Sequence, residues 1–217
     1  LNQALASNDR LVAAYVTRAG LLLRDMELEA ADRQLDLALG INPRDLEALS
    51  VRVAVRFLAD DRPGFVRAEK AVLAEHPRFS RMYSIVATYA EWEHRYEELV
   101  KLADAALRLN PDDAYAHATR GLNLLRTGDE REGLAALERS WSRDRYNVHV
   151  FNTLNLYEDV ISKQYQSIDA PPFRLRTHRE EKEVLETYAL PLLKRAYLDM
   201  QKRYAFTPTG PLSIELY

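Results

Sequence analysis

VAAYVTRAGLLLRDMELEAADRQLDLALGINPRD, residues Val12 to Asp45, decides how the chain is read. Tyr15, Ala19 and Leu22 recur at helical spacing in its first half, as do Ala31, Leu35 and Ala38 in its second, so each half predicts an amphipathic helix. Small residues let two such helices approach closely, and large ones fill the space beside them. The stretch closes on Pro43, and Pro77 and Pro111 follow at intervals of 34 residues, in the contexts INPRD, EHPRF and LNPDD. A fixed period of this length marks a chain built from one repeated supersecondary unit.

Cut at that period, the chain gives windows 12–45, 46–79, 80–113 and 114–147. The second keeps Leu49, Val53, Leu73 and Pro77 but has Arg56, Phe65 and Glu69 where apolar or small residues are expected. Asp60 and Asp61 ahead of Pro63 offer a cap and a start for its second helix. The third restores the pattern with Tyr83, Ala87, Tyr96, Leu99, Ala103, Ala106 and Leu107. The fourth places Gly121 at a close helix contact, has a turn at Gly128-Asp129, then Leu134, Leu137 and Trp141, with Arg145 in place of the last proline. The period and the order of small and large residues resemble the tetratricopeptide repeat (TPR), two antiparallel helices per unit stacked into a superhelix. That resemblance implies a mainly α fold with a TPR solenoid over 1–164: a partial repeat at the N-terminus, four full ones, and a capping helix over 147–164 with Phe151, Leu154 and Tyr157 at apolar spacing.

Beyond Gln164 the period stops, and five of the nine prolines lie after residue 170. PFRLRTH alternates as a half-buried strand does, with Phe173, Leu175 and Thr177 on one side. A helix is expected from about Arg179 to Tyr204, with Leu185, Tyr188, Leu192, Leu193, Ala196 and Met200 on one face and charges that suit its dipole. Pro191 is expected to kink or divide it. FTPTGP reads as a turn and LSIELY as a strand. Residues 165–217 therefore read as a short, truncated α/β segment: strand, helix, strand.

With 29% charged residues of mixed sign and a net charge of -3, the 217-residue chain has no basic footprint for nucleic acid. It has no cysteine, hence no disulfide and no thiol chemistry, and no apolar run of membrane-spanning length. It opens LNQALASNDR without an initiator Met, and Ala4 and Leu5 fit the end of a repeat's second helix. The expectation is a fragment whose targeting signal, if any, lies upstream.

The TPR resemblance also implies a groove on the first helix of each repeat. Its candidate partner-binding residues are Val16 and Leu23, then Ser50 and Phe57, then Arg81, Thr88, Glu91 and Trp92, and finally Tyr115, Leu122 and Arg126, with Gly20 and Glu47 beside them. This mixture suits an extended peptide or a helix from a partner protein, or else the rest of the same polypeptide. TPR domains that clamp chaperone carboxylates use Lys, Asn and Arg in the groove, and Val16, Gly20 and Val51 depart from that set. Arg18, Arg52 and Arg120 share the seventh place of their windows and read either as a row for an anionic partner or as stems packed along apolar surface with local ion pairs. The histidines form no HExxH; His94 with Glu97 and Glu98 is the nearest approach to a cluster. No nucleophile with a base and no phosphate loop is present, so no catalytic and no metal residue is assigned and no cofactor is expected in this chain.

The segments NLYEDVISKQY and FRLRTHREEKEVLETYALPLLKRAYLDMQKRYAFTPTGPLSIELY resemble the start of MA-like (gluzincin) zinc metallopeptidase domains that carry TPRs upstream. That resemblance implies a noncatalytic interaction scaffold at the N-terminal side of a larger bacterial metallopeptidase, in the cell envelope or periplasm. Its groove would hold a protein, a peptide or the parent's own catalytic domain. A downstream HExxH helix and a later Glu would hold zinc, with the motif Glu activating water, all beyond Tyr217. The alternative is a stand-alone TPR adaptor whose last residues cap the solenoid.

Overall fold

The computed structural model describes residues 1–208 and 210–216. Thr209 of the FTPTGP turn and Tyr217 at the end of LSIELY lie outside the described residues. The chain forms two compact units, Leu1–Asn147 and Val148–Tyr217.

In the first unit a short helix α1 (Asn2–Ser7) precedes four helical hairpins: α2 (Val12–Arg24) with α3 (Leu28–Ile41), α4 (Leu46–Leu58) with α5 (Arg62–Glu75), α6 (Arg81–Ala90) with α7 (Tyr96–Leu109), and α8 (Ala114–Arg126) with α9 (Glu130–Arg143). Local chemistry sets the ends. The carboxylates of Asp45, Asp61, Asp113 and Asp129 accept from the backbone amides of Ala48, Gly64, Ala116 and Glu132, and each such cap is worth about 0.5–2 kcal/mol. Each hairpin turns through one left-handed residue, Met26, Asp60, His94 and Gly128, again 34 residues apart. Glycine, which takes that conformation without strain, stands there only in the fourth.

Ala19, Ala31, Leu35 and Ala38 are fully enclosed in the first hairpin, and Ala136 and Leu137 in the last. At Gly121 an added Cβ would meet Leu137 at 2.7 Å and the Gly133 carbonyl oxygen at 2.8 Å, which is why α8 and α9 approach so closely. Neighbouring repeats are clasped at their turns: Arg44 with Glu75 at 2.5 Å, Arg78 donating to the Leu109 carbonyl at 3.3 Å, Arg143 with Asp112 at 2.5 Å. The arginine row resolves into local pairing. Arg18 donates to Asn2 Oδ1 at 2.7 Å, Arg52 reaches Asp32 at 3.1 Å and Asp36 at 2.6 Å, and Arg120 reaches Asp104 at 2.9 Å.

In the second unit, α10 (Val148–Asn155) runs through a π-helical segment, Leu156–Ile161, into α11 (Ser162–Gln164). Of residues 147–164, read from the sequence as the solenoid's cap, all but Asn147 group with this unit, where the π-helical segment touches the next strand, β1 (Tyr165–Ala170). A two-residue turn with a cis Pro171-Pro172 bond leads from β1 to β2 (Phe173–His178). The two strands pair antiparallel, with Ile168 opposite Leu175, and β3 (Leu212–Glu215) lies parallel on the other side of β2. The central strand buries Phe173, Leu175 and Thr177, and also Arg176, which stacks over Tyr157 at 5.7 Å and reaches Glu215 at 3.4 Å.

Two expectations for this unit are corrected. The expected order of strand, helix, strand omits β1, which brings only Tyr165 and Ile168 as large apolar side chains to the pairing. Of the two outcomes expected at Pro191, division does not occur: α12 (Lys182–Tyr204) is one helix with Pro191 inside it. No residue of α12 is buried, and the expected apolar face leaves Tyr188, Leu192 and Met200 exposed, because the helix meets the small sheet through few side chains, among them Tyr197 edge-on to Phe173 at 5.7 Å. No helix among the described residues is long and apolar enough to cross a membrane.

Candidate peptide-binding surface

The first helices of successive hairpins, α2 with α4, α4 with α6 and α6 with α8, pack side by side and so form one continuous surface. Its N-terminal part is a trough of about 420 Å³. Val12, Val16 and Leu21 give it apolar contact, Arg24 and Glu47 give it charge of both signs, and Tyr89 crosses from α6. Tyr89 fits because residue 20 is glycine: a Cβ there would stand 2.5 Å from the tyrosine hydroxyl. Burial raises the Tyr89 pKa above the ordinary phenol value, so the group is a neutral phenol at physiological pH.

Farther along, Arg81 faces Glu47 at 3.5 Å, and the Thr88 hydroxyl lies 3.3 Å from that of Tyr115. Glu91 accepts from Arg126 at 2.9 Å, while the same guanidinium covers the Tyr96 ring at 5.1 Å and donates to Asn123 Oδ1 at 3.3 Å. Trp92, in the one-turn 3-10 segment after α6, is 75% exposed. Leu122 is half-buried on α8. The surface thus sets aromatic and apolar contact beside paired charges.

Three sequence-assigned residues sit elsewhere. Leu23 at 2% and Ser50 at 0% exposure belong to the packed interior, the serine hydroxyl donating to the Leu46 carbonyl at 2.6 Å. Phe57 points into a different cleft, with Phe65 at 6.0 Å and the Arg95 guanidinium 4.4 Å above its ring. Conversely, Val12, Thr17, Leu21, Arg24 and Tyr89 line the trough although the repeat positions do not select them. Leu21, an exposed leucine beside the half-buried Leu22 and buried Leu23, is the available signal; Tyr89 crosses from two repeats away and leaves none. His94 Nδ1 lies 2.8 Å from the Tyr96 hydroxyl, and the described residues gather no group of three or more potential metal ligands.

No protein-family model matches the chain, and no curated protein does. Among solved structures it is similar to a tetratricopeptide repeat protein from Parabacteroides merdae, with a TM-score of 0.52 and 15% identity over 73% of this chain and 62% of that one. It is also similar to PilF of Pseudomonas aeruginosa (TM-score 0.47, 21% identity, 70% of each chain) and to TTC0263, a thermophilic TPR protein of Thermus thermophilus (TM-score 0.45, 18% identity, 89% and 97%). At these identities the likeness concerns fold alone, and it is the Parabacteroides structure that carries it. The fold is mainly α, a solenoid of tetratricopeptide type followed by a small three-stranded sheet with its helix.

Proposed function

We propose that the chain is a noncatalytic protein-interaction scaffold whose first-helix surface holds an extended peptide or a helix of a partner protein. The observation that carries this reading is the trough on α2, where the exposed Leu21 and half-buried Val12 flank a floor formed by Val16, beside Arg24, Glu47 and Tyr89. A concavity that offers apolar contact and placed polar groups together suits peptide recognition. The reading extends to a parent protein, a larger bacterial metallopeptidase of the cell envelope, for which this solenoid would position substrate, a partner or the catalytic domain. Sequence resemblance over the C-terminal unit supports that extension, and the exposed Val184, Tyr188, Leu192 and Leu198 of α12 are consistent with a unit that more polypeptide would cover. Zinc, in that protein, would be held by residues beyond Tyr217.

Two experiments test these readings. Selection of a random displayed peptide library on the intact chain should enrich ligands whose affinity falls at least about tenfold on Thr17→Trp, which fills the trough. Enriched peptides indifferent to that change and to Arg24→Glu would contradict the groove. Reading the gene in frame past Tyr217 should find HExxH and a later glutamate. An immediate stop codon would leave the stand-alone adaptor.

A further inference from the structure

The second cleft, also about 420 Å³, lies between α5 and α7, and the repeat explains why it is there. Stepping by 34 residues, Leu35, Glu69, Ala103 and Leu137 share one place; the two leucines are fully buried, and the second repeat has a carboxylate instead. Ala31, fully buried on α3, corresponds to Phe65 on α5, a large ring where close approach needs a small residue. An aspartate–arginine pair between facing helices is missing too. Asp36 and Asp104 pair with Arg52 and Arg120 across their junctions, whereas the corresponding residues between repeats two and three are Lys70 and Val86. Accordingly α3 packs on α4 and α7 on α8, while α5 and α6 barely touch. The gap is crossed by the Tyr83 hydroxyl, which donates to Glu69 at 2.5 Å.

The opening is lined by two kinds of surface. Phe57, Phe65, Tyr83, Leu102 and Ala105 present apolar walls. Around them five cationic side chains face three carboxylates, and the carboxylates are already engaged: Asp60 and Glu98 by Arg95, Glu69 by Tyr83. Arg56 is held by Asp32. That leaves Arg62, Lys101 and Arg108, which form no ion pair among the described residues.

We infer that this cleft is a second binding site, distinct from the first-helix groove, and that it takes an acidic peptide segment. One aromatic or aliphatic side chain of the segment seats against Phe57, Phe65 and Tyr83, and its carboxylates face Arg62, Lys101 and Arg108. The five cations of the lining outnumber its three carboxylates, so the cleft around its apolar floor favours acidic sequences over basic ones.

The test selects a random displayed peptide library on the intact chain and, in parallel, on Ala105→Trp and on the triple change Arg62→Glu, Lys101→Glu, Arg108→Glu, with Val66→Trp as a second way to fill the cleft should Ala105→Trp fail to fold. Expected are ligands rich in Asp and Glu around an aromatic or aliphatic residue. A synthetic, fluorescein-labelled copy of one should lose at least about tenfold in affinity in the filled and in the charge-reversed variants, and bind Thr17→Trp like the unaltered chain. Absence of acidic ligands overturns the proposal. So does an acidic ligand weakened by charge reversal but not by a filled cleft, since general attraction to surface charge then accounts for it. Because Thr17→Trp reports on the groove alone, failure of one site is distinguishable from failure of the other.

Discussion

The junction of α3 with α4 and the junction of α5 with α6 occupy the same place in the repeat and are built differently. In the first, Leu35 is enclosed and Asp32 and Asp36 hold Arg52. In the second, Glu69 replaces the leucine, Lys70 and Val86 replace the aspartate–arginine pair, and the helices stand apart. A few side chains decide whether the second helix of one hairpin closes on the first helix of the next; between the second and third hairpins the packing runs through α4 and α6 instead. In a solenoid each repeat packs mainly on its neighbours, so such a fault opens a cleft locally and leaves the array intact.

The largest expected effect breaks the well-packed side of this comparison. Leu35→Ala should cost about 2–5 kcal/mol in urea denaturation, while Phe65→Ala, although it removes more atoms, should cost less, because the Phe65 ring borders open space. An equal or greater loss at Phe65 would mean that α5 is packed as firmly as α3. Next, Gly121→Ala should destabilise by about 1–3 kcal/mol, since the Gly133 carbonyl cannot retreat as a flexible side chain could.

Much of this architecture is legible in the residues themselves. The 34-residue windows place the hairpins, and the misfits Arg56, Phe65 and Glu69, which mark the second repeat as irregular in sequence, all line the cleft. The groove is only partly legible. Counting places in the repeat selects a helix face but not its small rotation, so Leu23 and Ser50 turn inward and Tyr89 escapes the count. The C-terminal unit has no period to lean on: β1 is defined by its pairing with β2 rather than by its own composition, and α12 keeps going past Pro191 with its apolar side chains largely uncovered.

Smaller effects sharpen the comparison. Installing the missing pair as Lys70→Asp with Val86→Arg should show a favourable coupling of about 0.5–1 kcal/mol in a double-mutant cycle; zero coupling would mean that the pair cannot meet across the gap. The place held by Tyr83 in the third repeat is held by His117 in the fourth, whose Nε2 lies 2.9 Å from the Pro111 carbonyl while its buried Nδ1 has no partner. Burial lowers the His117 pKa, so the unfolded chain takes up the proton first. The resulting stability is complete above about pH 6.5 and declines as pH falls toward the lower folded value. His117→Gln should remove that part of the slope from a series of urea midpoints, and an unchanged slope would contradict the assignment.

The most direct test of the scaffold reading is a methyl-NMR titration of the intact chain with a peptide selected for the groove. The account predicts shifts at Val12, Val16 and Leu21, with Val66 and Leu102 of the cleft unmoved. A bound peptide that leaves the three groove methyls unshifted would contradict it.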